Sequence, residues 1–342
     1  MNGKHPELTA GALALDGMGG DNAPREVVLG ALGAIPRLHR PIFLVGETNA
    51  LMPFFPGGVV PDGIQIFEAS QAVGMAEKPM DAYRDKKDSS LMVAANLVKD
   101  GRAAAMISAG NTGAAAVHAL LVWGKIPGVR RPAIASLMPN AHDGFILMDV
   151  GASPDVGPES LVEFARMGRA YAQRMLGRKD PGVHLLNIGE EAGKGNAFVQ
   201  EAFTSLSTLP YFRGNIEGKT MFAEPCDVVV CDAFVGNAVL KTAEGVAELI
   251  TEILRAGVPT NPLVRPLYWP VKRVTQPLKE MMDYAAIGGS PLLGLNGVCI
   301  IAHGRSDARA IENALVQAEK MVDAGIIEVI REGAGTPVGS AA

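Results

Sequence analysis

The chain has 342 residues, of which 48% are hydrophobic and 20% are charged, with 40 glycines and 23 prolines. Lysine and arginine total 31 and aspartate and glutamate total 36, so the net charge is −5 at neutral pH. This composition excludes a disordered chain, a collagen-like chain and a disulfide scaffold, and the acidic balance argues against nucleic acid as a partner. The length admits two domains or one large α/β unit.

The chain carries few residues that favour covalent cross-links or metals. Its three cysteines, Cys226, Cys231 and Cys299, are odd in number and form no C-x-x-C pair, which indicates buried free thiols in a reduced cytoplasmic setting. The six histidines are dispersed without an H-E-x-x-H motif, so we predict no metal site. The first 17 residues lack the long apolar run of a signal peptide.

One repeated unit accounts for most of the chain: a short apolar run, a break rich in Gly, Asn and Ser, and a helix with apolar residues three or four positions apart. This alternation predicts a Rossmann-like, doubly wound α/β/α sandwich with a parallel sheet. Residues 11–332 form one catalytic unit in this interpretation, and residues 333–342 a disordered tail. Strands are predicted at 12–15, 42–45, 64–68, 104–108, 134–138, 145–150, 184–188, 227–231 and 298–302, and helices at 24–35, 90–99, 112–123, 159–176, 197–206, 237–255 and 306–324.

Residues 103–124 carry no charged side chain and are long enough to span a bilayer. Ser108, Asn111 and His118 lie within this stretch, together with glycines at its centre. A strand, a turn and a helix therefore fit it better than a transmembrane segment.

The first break, residues 16–22 (DGMGGDN), comes after the first predicted strand. It departs from the dinucleotide motif G-x-G-x-x-G/A, because Asn22 stands at the last position and Asp16 and Asp21 would repel a pyrophosphate. A tight turn before a helix begun by Pro24 explains the glycines. The two aspartates either hold a neighbouring loop or contact substrate, and we keep Asp16 as a candidate substrate-binding residue.

The break at residues 108–114 (SAGNTGA) joins a strand to a helix. Free N–H groups at such a helix start bind phosphate or an oxyanion without a fixed charge. Gly110, Asn111, Thr112 and Gly113 are therefore candidate phosphate or oxyanion ligands. Capping of the helix by Asn111 or Thr112 is the alternative.

The break at residues 187–196 (NIGEEAGKGN) resembles a phosphate loop but fails the Walker pattern, since Gly195 replaces the Ser or Thr that would hold magnesium. ATP is therefore not expected. Lys194, with Gly195 and Asn196 beside it, is placed to bind a small anion or polarise a carbonyl. A solvated surface lysine is the alternative.

The break at residues 232–241 (DAFVGNAVLK) places Asn237 at a predicted helix start, in the position that Asn111 has in its own unit, and Gly236 before it is a candidate phosphate- or substrate-binding residue. Two amides at matched positions suggest donors to a developing oxyanion, and both could instead be caps. The last break, residues 303–307 (HGRSD), lacks the final glycine of a nucleophile elbow, so Ser306 is interpreted as a helix cap.

Residues 253–279 reverse the overall sign of charge, with five basic residues and no acid. Apolar residues at spacings of three and four predict a short helix with one apolar and one basic face over residues 258–284. This segment could contact an anionic membrane, an acidic protein partner or a second subunit. Its candidate contact residues are Arg265, Tyr268, Trp269, Lys272 and Arg273.

Taken in order, these breaks resemble one family, the acyl-acyl-carrier-protein phosphate acyltransferases that open the acyl-phosphate route to bacterial phospholipids. The resemblance covers about residues 11–324 and includes a further motif at residues 288–294 (GGSPLLG). Gly17 and Ala233 stand where the family usually has Ala and Gly. The resemblance implies a homodimer with a fold like that of the isocitrate and isopropylmalate dehydrogenases.

The resemblance also implies a reaction: acyl-acyl carrier protein and inorganic phosphate give acyl phosphate and free carrier, with no cofactor. It implies a cytoplasmic enzyme associated peripherally with the inner face of the membrane, with a membrane glycerol-3-phosphate acyltransferase downstream. Our hypothesis is direct attack by phosphate, held by Lys194 and the 110–113 amides, with Asn237 and Asn111 stabilising the oxyanion. The alternatives are an acyl-CoA or hydride-transfer enzyme of similar architecture, and a non-catalytic membrane-recruiting scaffold.

Overall fold

The computed structural model describes residues 11–256 and 288–334. The predicted carrier and membrane residues, Arg265, Tyr268, Trp269, Lys272 and Arg273, lie outside them, as do residues 335–342 of the predicted tail. Within the described ranges, eleven strands form one sheet in the order β3-β2-β1-β4-β11-β10-β5-β6-β9-β7-β8. The strands are β1 (Ala12–Asp16), β2 (Ile42–Gly46), β3 (Ile64–Glu68), β4 (Ala103–Ser108), β5 (Ala133–Met138), β6 (Phe145–Met148), β7 (Val183–Asn187), β8 (Phe212–Glu217), β9 (Val228–Val230), β10 (Ser290–Leu293) and β11 (Val298–Ile301).

The helices connect these strands and cover both faces of the sheet. They are α1 (Arg25–Ala34), α2 (Thr48–Leu51), α3 (Pro79–Asp85), α4 (Ser90–Lys99), α5 (Thr112–Trp123), α6 (Ser160–Met175), α7 (Ala197–Leu206), α8 (Thr220–Ala223), α9 (Ala233–Ala256), α10 (Ala308–Asp323) and α11 (Ile326–Ala334), with 3₁₀ turns at Ile35–Arg37, Met52–Phe54 and Pro56–Gly58.

All nine predicted strands and all seven predicted helices are present, with ends that differ by a few residues. β8 and β10 were not predicted, because Gly214 interrupts the first and Pro291 lies inside the second, and both residues usually mark breaks. The helices α2, α3, α8 and α11 were not predicted either. Since α11 includes residues 333 and 334, the predicted tail begins too early.

The sheet is mostly parallel but its two halves run in opposite directions. β1, β2, β3, β4 and β11 are mutually parallel, whereas β10 is antiparallel to both β11 and β5, and β5 is antiparallel to β6. β6, β9, β7 and β8 are parallel to one another. The predicted all-parallel sheet is therefore corrected to a mixed one.

This reversal separates the breaks that the sequence placed together. The carboxyl ends of β1, β4 and β11 lie at one edge of the sheet, called here the first edge. The carboxyl ends of β6, β7 and β9 lie at the opposite edge, the second edge. β7 is also six strand positions from β4, which at about 4.8 Å per strand is on the order of 29 Å across the sheet.

The core has a layer on each face. One layer includes Leu13, Leu15 and Ile107 and packs against α1, α6 and α10. The other includes Met106 and Cys299 and packs against α4, α5 and the first half of α9. Central strands such as β1 are buried on both faces, as a sheet covered by helices on both sides requires.

Residues 103–124 form β4 and α5, as the preferred interpretation predicted. Among the described residues, none of the helices combines the length and apolar character needed to cross a membrane.

Candidate active site

Loops from four parts of the chain meet at the first edge, around the carboxyl ends of β1, β4 and β11. The Asp21 N–H donates to the Gly304 carbonyl at 2.8 Å. A Cβ on Gly19 would lie 2.9 Å from the Gly110 nitrogen, and one on Gly304 would lie 2.6 Å from the Met75 side chain. Glycine therefore suits the positions where these segments approach one another.

The side chain of Asp16, at the end of β1, holds these loops in place. Its buried carboxylate accepts hydrogen bonds from the hydroxyls of Ser90 at 2.6 Å and Ser108 at 2.7 Å, and from the Met18 N–H at 3.2 Å. The Ser108 hydroxyl in turn accepts from the Gly110 N–H at 3.1 Å. Asp16 thus holds neighbouring loops, and its predicted contact with substrate is not supported because the carboxylate is enclosed by protein donors.

Asn111 is the N-cap of α5. Its Oδ1 accepts from the Ala114 N–H at 3.0 Å, and its Nδ2 donates to the carbonyls of Met75 and Glu77, both at 2.9 Å. Because both amide hydrogens are used, the prediction that Asn111 donates to an oxyanion is wrong. Asn111 instead joins α5 to the segment before α3.

The first turn of α5 nevertheless keeps two backbone donors. The N–H groups of Thr112 and Gly113 make no hydrogen bond to any residue in the described part of the chain. Thr112 is exposed and Gly113 is half-buried. These two donors at the positive end of a helix can receive an anion.

His303, which was not predicted as a site residue, comes after β11 at the first edge. β11 pairs with β4 in a register that places Ile301 opposite Ser108. The His303 Nδ1 accepts from the Arg305 N–H at 3.2 Å, so the neutral ring carries its hydrogen on Nε2. Burial lowers the pKa of His303, and the nearby Lys241 ammonium lowers it further.

Helix α9 begins at the second edge, four residues earlier than predicted. Asp232 caps it, since its Oδ1 accepts from the N–H groups of Phe234 and Val235 at 3.0 Å each. Asn237 is therefore not at the helix start but in the second turn. Its exposed side chain makes no hydrogen bond within the described ranges and faces Gly151.

The start of α9 rests on a loop organised by Asp149, which the sequence analysis missed. The buried Asp149 carboxylate accepts from the N–H groups of Ile134, Gly151 and Ala152 at 3.0 Å each and of Ser153 at 2.8 Å. Burial raises the pKa of Asp149 although these four hydrogen bonds oppose the shift. The only sequence signal was an aspartate with small residues after it at the end of a strand (DVGAS).

Gly236 allows α9 to lie directly on this loop. A Cβ on Gly236 would stand 1.9 Å from the Asp149 carbonyl oxygen, which no side chain can tolerate. The close approach at Gly236 is therefore to protein backbone.

From its contact with the Asp149 loop, α9 runs towards the first edge. Asn237, Lys241, Glu244 and Glu248 are spaced by three or four residues and so share one helix face. Glu248 accepts from the Arg305 guanidinium at 2.5 Å, and Lys241 pairs with Glu244 at 2.8 Å. α5 and α9 pack on the same face of the sheet, with the Thr112 and Gly113 amides at the first edge and Asn237 near the second.

Lys194 lies away from the start of α5. Its loop lies at the second edge, where the Asn187 amide donates to the Lys194 carbonyl at 3.2 Å and the Gln200 amide to the Gly195 carbonyl at 3.1 Å. Asn196 caps α7 by accepting from the Val199 N–H at 3.0 Å. The predicted joint phosphate site of Lys194 and the 110–113 amides is therefore not assembled within one chain.

Ser306 is neither a cap nor an accessible nucleophile. Asp307 caps α10 by accepting from the Ala310 N–H at 2.9 Å, so the predicted cap is one residue too early. The Ser306 hydroxyl is buried and has no partner among the described residues.

The three cysteines are free and buried, as predicted. Burial raises the pKa of Cys226 to about 11 and that of Cys299 to about 12. The pKa of Cys231 is also raised by burial. Such thiols are poor nucleophiles at neutral pH.

A His-carboxylate group that sequence spacing could not reveal lies near the end of α10. His39, Glu319 and Asp323 place one ligand atom each within 4.8 Å of the others. Glu319 also accepts from the N–H groups of His39 and Arg40, and Arg40 pairs with Asp323 at 2.7 Å. The adjacent guanidinium opposes binding of a cation, and these side chains join the segment before β2 to α10.

Comparison with known proteins agrees with this architecture. The family model described as "Fatty acid synthesis protein" matches residues 12–329. The phosphate acyltransferase of Desulfitobacterium hafniense (strain DSM 10664 / DCB-2) is 45% identical over 322 residues, which cover 94% of this chain and 96% of that protein. The phosphate acyltransferase of Heliobacterium modesticaldum is 43% identical over 323 residues, with coverage of 94% and 96%.

Solved structures show the same fold at low sequence identity. A phosphotransacetylase from Streptococcus pyogenes superposes with a TM-score of 0.63 at 17% identity, over 93% of this chain and 95% of that one. A 4-hydroxythreonine-4-phosphate dehydrogenase from Klebsiella pneumoniae gives 0.54 at 13% identity, over 93% and 99%. These confirm the predicted dehydrogenase-like α/β class. With the family match and the close relatives, they establish that this chain belongs to the phosphate acyltransferase family and is an acyltransferase.

Proposed function

We propose that the protein transfers a fatty acyl group from acyl carrier protein to inorganic phosphate, giving acyl phosphate for phospholipid synthesis. The observation that carries the proposal is two sets of unpaired donors on helices that cover the same face of the sheet. Within the described ranges, Thr112 and Gly113 offer unpaired N–H groups for an anion, and Asn237 offers an unpaired amide for an oxyanion. An acyl transfer to phosphate needs both kinds of donor.

The reaction proceeds by direct attack in this proposal. A phosphate oxygen forms a bond to the thioester carbonyl carbon, and the carbonyl oxygen becomes an oxyanion that the Asn237 amide stabilises. The C–S bond then breaks, and the thiolate of the carrier leaves and takes a proton. No acyl-cysteine intermediate is needed, in keeping with the burial and raised pKa of the Cys226 and Cys299 thiols.

Lys194 acts on phosphate in this proposal through a homodimer. Its loop follows β7, which pairs with β9, so Lys194 lies at the same edge as Asn237 and about six strands from α5. In this proposal the Thr112 and Gly113 amides of a second copy complete the site. Ile188 and Phe234 lie after neighbouring strands at the same edge and are 82% and 79% exposed. Large apolar side chains left in water near this loop favour a protein contact there.

A mixed dimer tests this arrangement. A Lys194→Ala protomer combined with a Thr112→Pro protomer, which lacks the N–H at the first position of α5, should recover activity above either homodimer, because one of the two shared sites then has both groups intact. Activity no higher than that of the separate variants would contradict the shared site.

The basic segment at residues 258–284 is proposed to meet the acidic carrier and the anionic membrane, which also brings the product to a membrane glycerol-3-phosphate acyltransferase. Electrostatic docking weakens with salt. The KM for the carrier should therefore rise steeply with ionic strength, and a KM that does not depend on salt would contradict the assignment.

The deciding experiment is release of free carrier from acyl-acyl carrier protein as a function of phosphate, with hydroxylamine trapping of acyl phosphate as the hydroxamate. Both products should appear together and only with phosphate. Equal turnover of acyl-CoA would favour a different acyl donor, and carrier release without phosphate would indicate a hydrolase.

A further inference from the structure

Asn215 of β8 is a buried amide next to the loop that carries Lys194. The residue is 7% exposed, and its Nδ2 donates to the Glu191 carbonyl at 2.9 Å and to the Glu190 carbonyl at 3.4 Å. The Lys194 N–H donates to the same Glu191 carbonyl at 3.1 Å. The Asn215 amide and the Lys194 backbone therefore meet on one carbonyl oxygen.

A bulge in β8 turns Asn215 towards this loop. Between two paired positions, β8 has two residues where β7 has one, and the second of them is Gly214 at a φ of +91°. Because side chains alternate along a strand, one extra residue exchanges the faces of all that follow. Phe212 and Ile216 consequently pack on opposite faces of the sheet although they are four residues apart. Asn215 lies opposite Leu185, on the face that α7 covers.

Two further amides hold the same loop, residues 188–196, by its carbonyls. Asn187 donates to the Lys194 carbonyl at 3.2 Å, and Gln200 donates to two more carbonyls of the loop at 2.9 and 3.1 Å. The Lys194 side chain lies across Gly189, where an added Cβ would stand 2.9 Å from the lysine Cγ. The conformation of the loop therefore sets the direction of the lysine side chain.

The Asn215 side chain makes an incomplete set of hydrogen bonds. Its Oδ1 is buried and accepts no hydrogen bond within the described ranges. A buried acceptor without a donor costs stability. What the amide provides at this position is therefore its two donated hydrogen bonds, both of which end on the loop of Lys194.

We propose that Asn215 is a positioning residue for Lys194, acting through the Glu191 carbonyl. This inference rests on the proposed phosphate acyltransferase reaction, in which Lys194 acts on phosphate. Lys194 is exposed, and a lysine side chain in water has many rotamers. By fixing the loop at its Glu191 carbonyl, Asn215 reduces the freedom that the lysine loses when phosphate binds.

The test compares variants of the full-length protein in the phosphate-dependent reaction. Asn215→Ala should lower kcat/KM for phosphate at least about tenfold, and the KM for acyl-acyl carrier protein should change less than about twofold. Asn215→Ser, whose shorter hydroxyl does not reach the Glu191 carbonyl, should show the same loss. Asn140→Ala is the matched control and should keep kcat/KM. It also removes a buried amide, but one that donates to the Glu224 carbonyl, at 3.3 Å, at the first edge.

A double-variant cycle separates positioning from stability. In a Lys194→Ala background, Asn215→Ala should have no further effect on kcat/KM, because the ammonium that it positions is gone. An equal further loss there, or near-normal kinetics in a folded Asn215→Ala or Asn215→Ser, would overturn the inference alone. Near-normal kinetics of Lys194→Ala would overturn the proposed role of Lys194 and this inference together. A wild type without phosphate-dependent acyl transfer would remove the proposed reaction as well.

Discussion

The starts of α5 and α9 carry the same signal in sequence, an asparagine beside a glycine after a buried strand, yet the structure uses them differently. Asn111 is a cap whose acceptor and both donors are taken by protein. Asn237 lies past the true cap, Asp232, and its amide has no partner in the described part of the chain. The difference teaches that an amide is available for chemistry only where another residue has already satisfied the helix end.

The largest effect is expected from Asn237→Ala. Loss of one oxyanion donor should lower kcat by about 10² to 10³, whereas the exposed side chain contributes little to folding. Steady-state kinetics together with urea unfolding measure both quantities. A folded variant with near-normal kcat would show that Asn237 is not part of the site. The unpaired amide would then give α9 no catalytic role that α5 lacks.

Gly236→Ala should be the most damaging change to stability. Its Cβ would lie 1.9 Å from the Asp149 carbonyl oxygen, and overpacking of this kind costs about 3 kcal/mol. That exceeds the roughly 1 kcal/mol gained from the helix propensity of alanine. Gly113→Ala in α5 is the matched control, because its Cβ would come closest to the Pro79 side chain, at 2.8 Å, rather than to backbone. Equal losses of unfolding free energy in the two variants would show that α9 can shift away from the Asp149 loop to make room for the methyl group.

Asn111→Ala should lower the unfolding free energy by about 2 kcal/mol, because it removes the cap and two further hydrogen bonds. Asn111→Ser keeps a side-chain oxygen for the cap and should lose less, since only the two donated bonds are removed. Chemical denaturation measures the difference. If Asn111→Ala instead lowered kcat as much as Asn237→Ala without destabilising the fold, the assignment of Asn111 as a purely structural residue would be wrong.

The smallest effect is expected from a change of pH, which acts on His118 on the buried side of α5. Burial lowers the pKa of His118, whose Nδ1 lies 2.7 Å from the Ala114 carbonyl. As the pH falls, His118 therefore becomes protonated in the unfolded chain at a higher pH than in the folded chain. The stability contributed by the neutral ring is lost as pH falls below about 6.5. Stability should drop as the pH is lowered from about 7.5 to about 5.5, by at most about 1.4 kcal/mol per pH unit from this group.

The matched variant is His118→Asn, which can still donate to the Ala114 carbonyl. It should reduce the pH dependence without abolishing it, since burial also lowers the pKa values of His184 and His303. An unchanged dependence, measured by denaturation across the same pH range, would show that His118 does not titrate differently on folding.

Much of the fold was predictable because local signals agreed with one another. Buried strands appear as continuous apolar runs, and Ser90–Lys99, Thr112–Trp123 and Ala197–Leu206 begin and end at the predicted residues. β10 was missed because its stability comes from pairing with β11 and β5 rather than from its own four residues. A strand of that kind has no local signature.

The sequence by itself determined the strand-helix units, the free buried cysteines and, through its resemblance, the family. Only the tertiary structure decided at which edge of the sheet each break lies. Reversal of the sheet at β10 and β5 sends Lys194 and the start of α9 with Asn237 to the second edge, while His303 lies at the first. The reason is physical: the order of residues determines which loop comes after each strand, but strand direction, set by long-range hydrogen-bond pairing, determines where that loop lies.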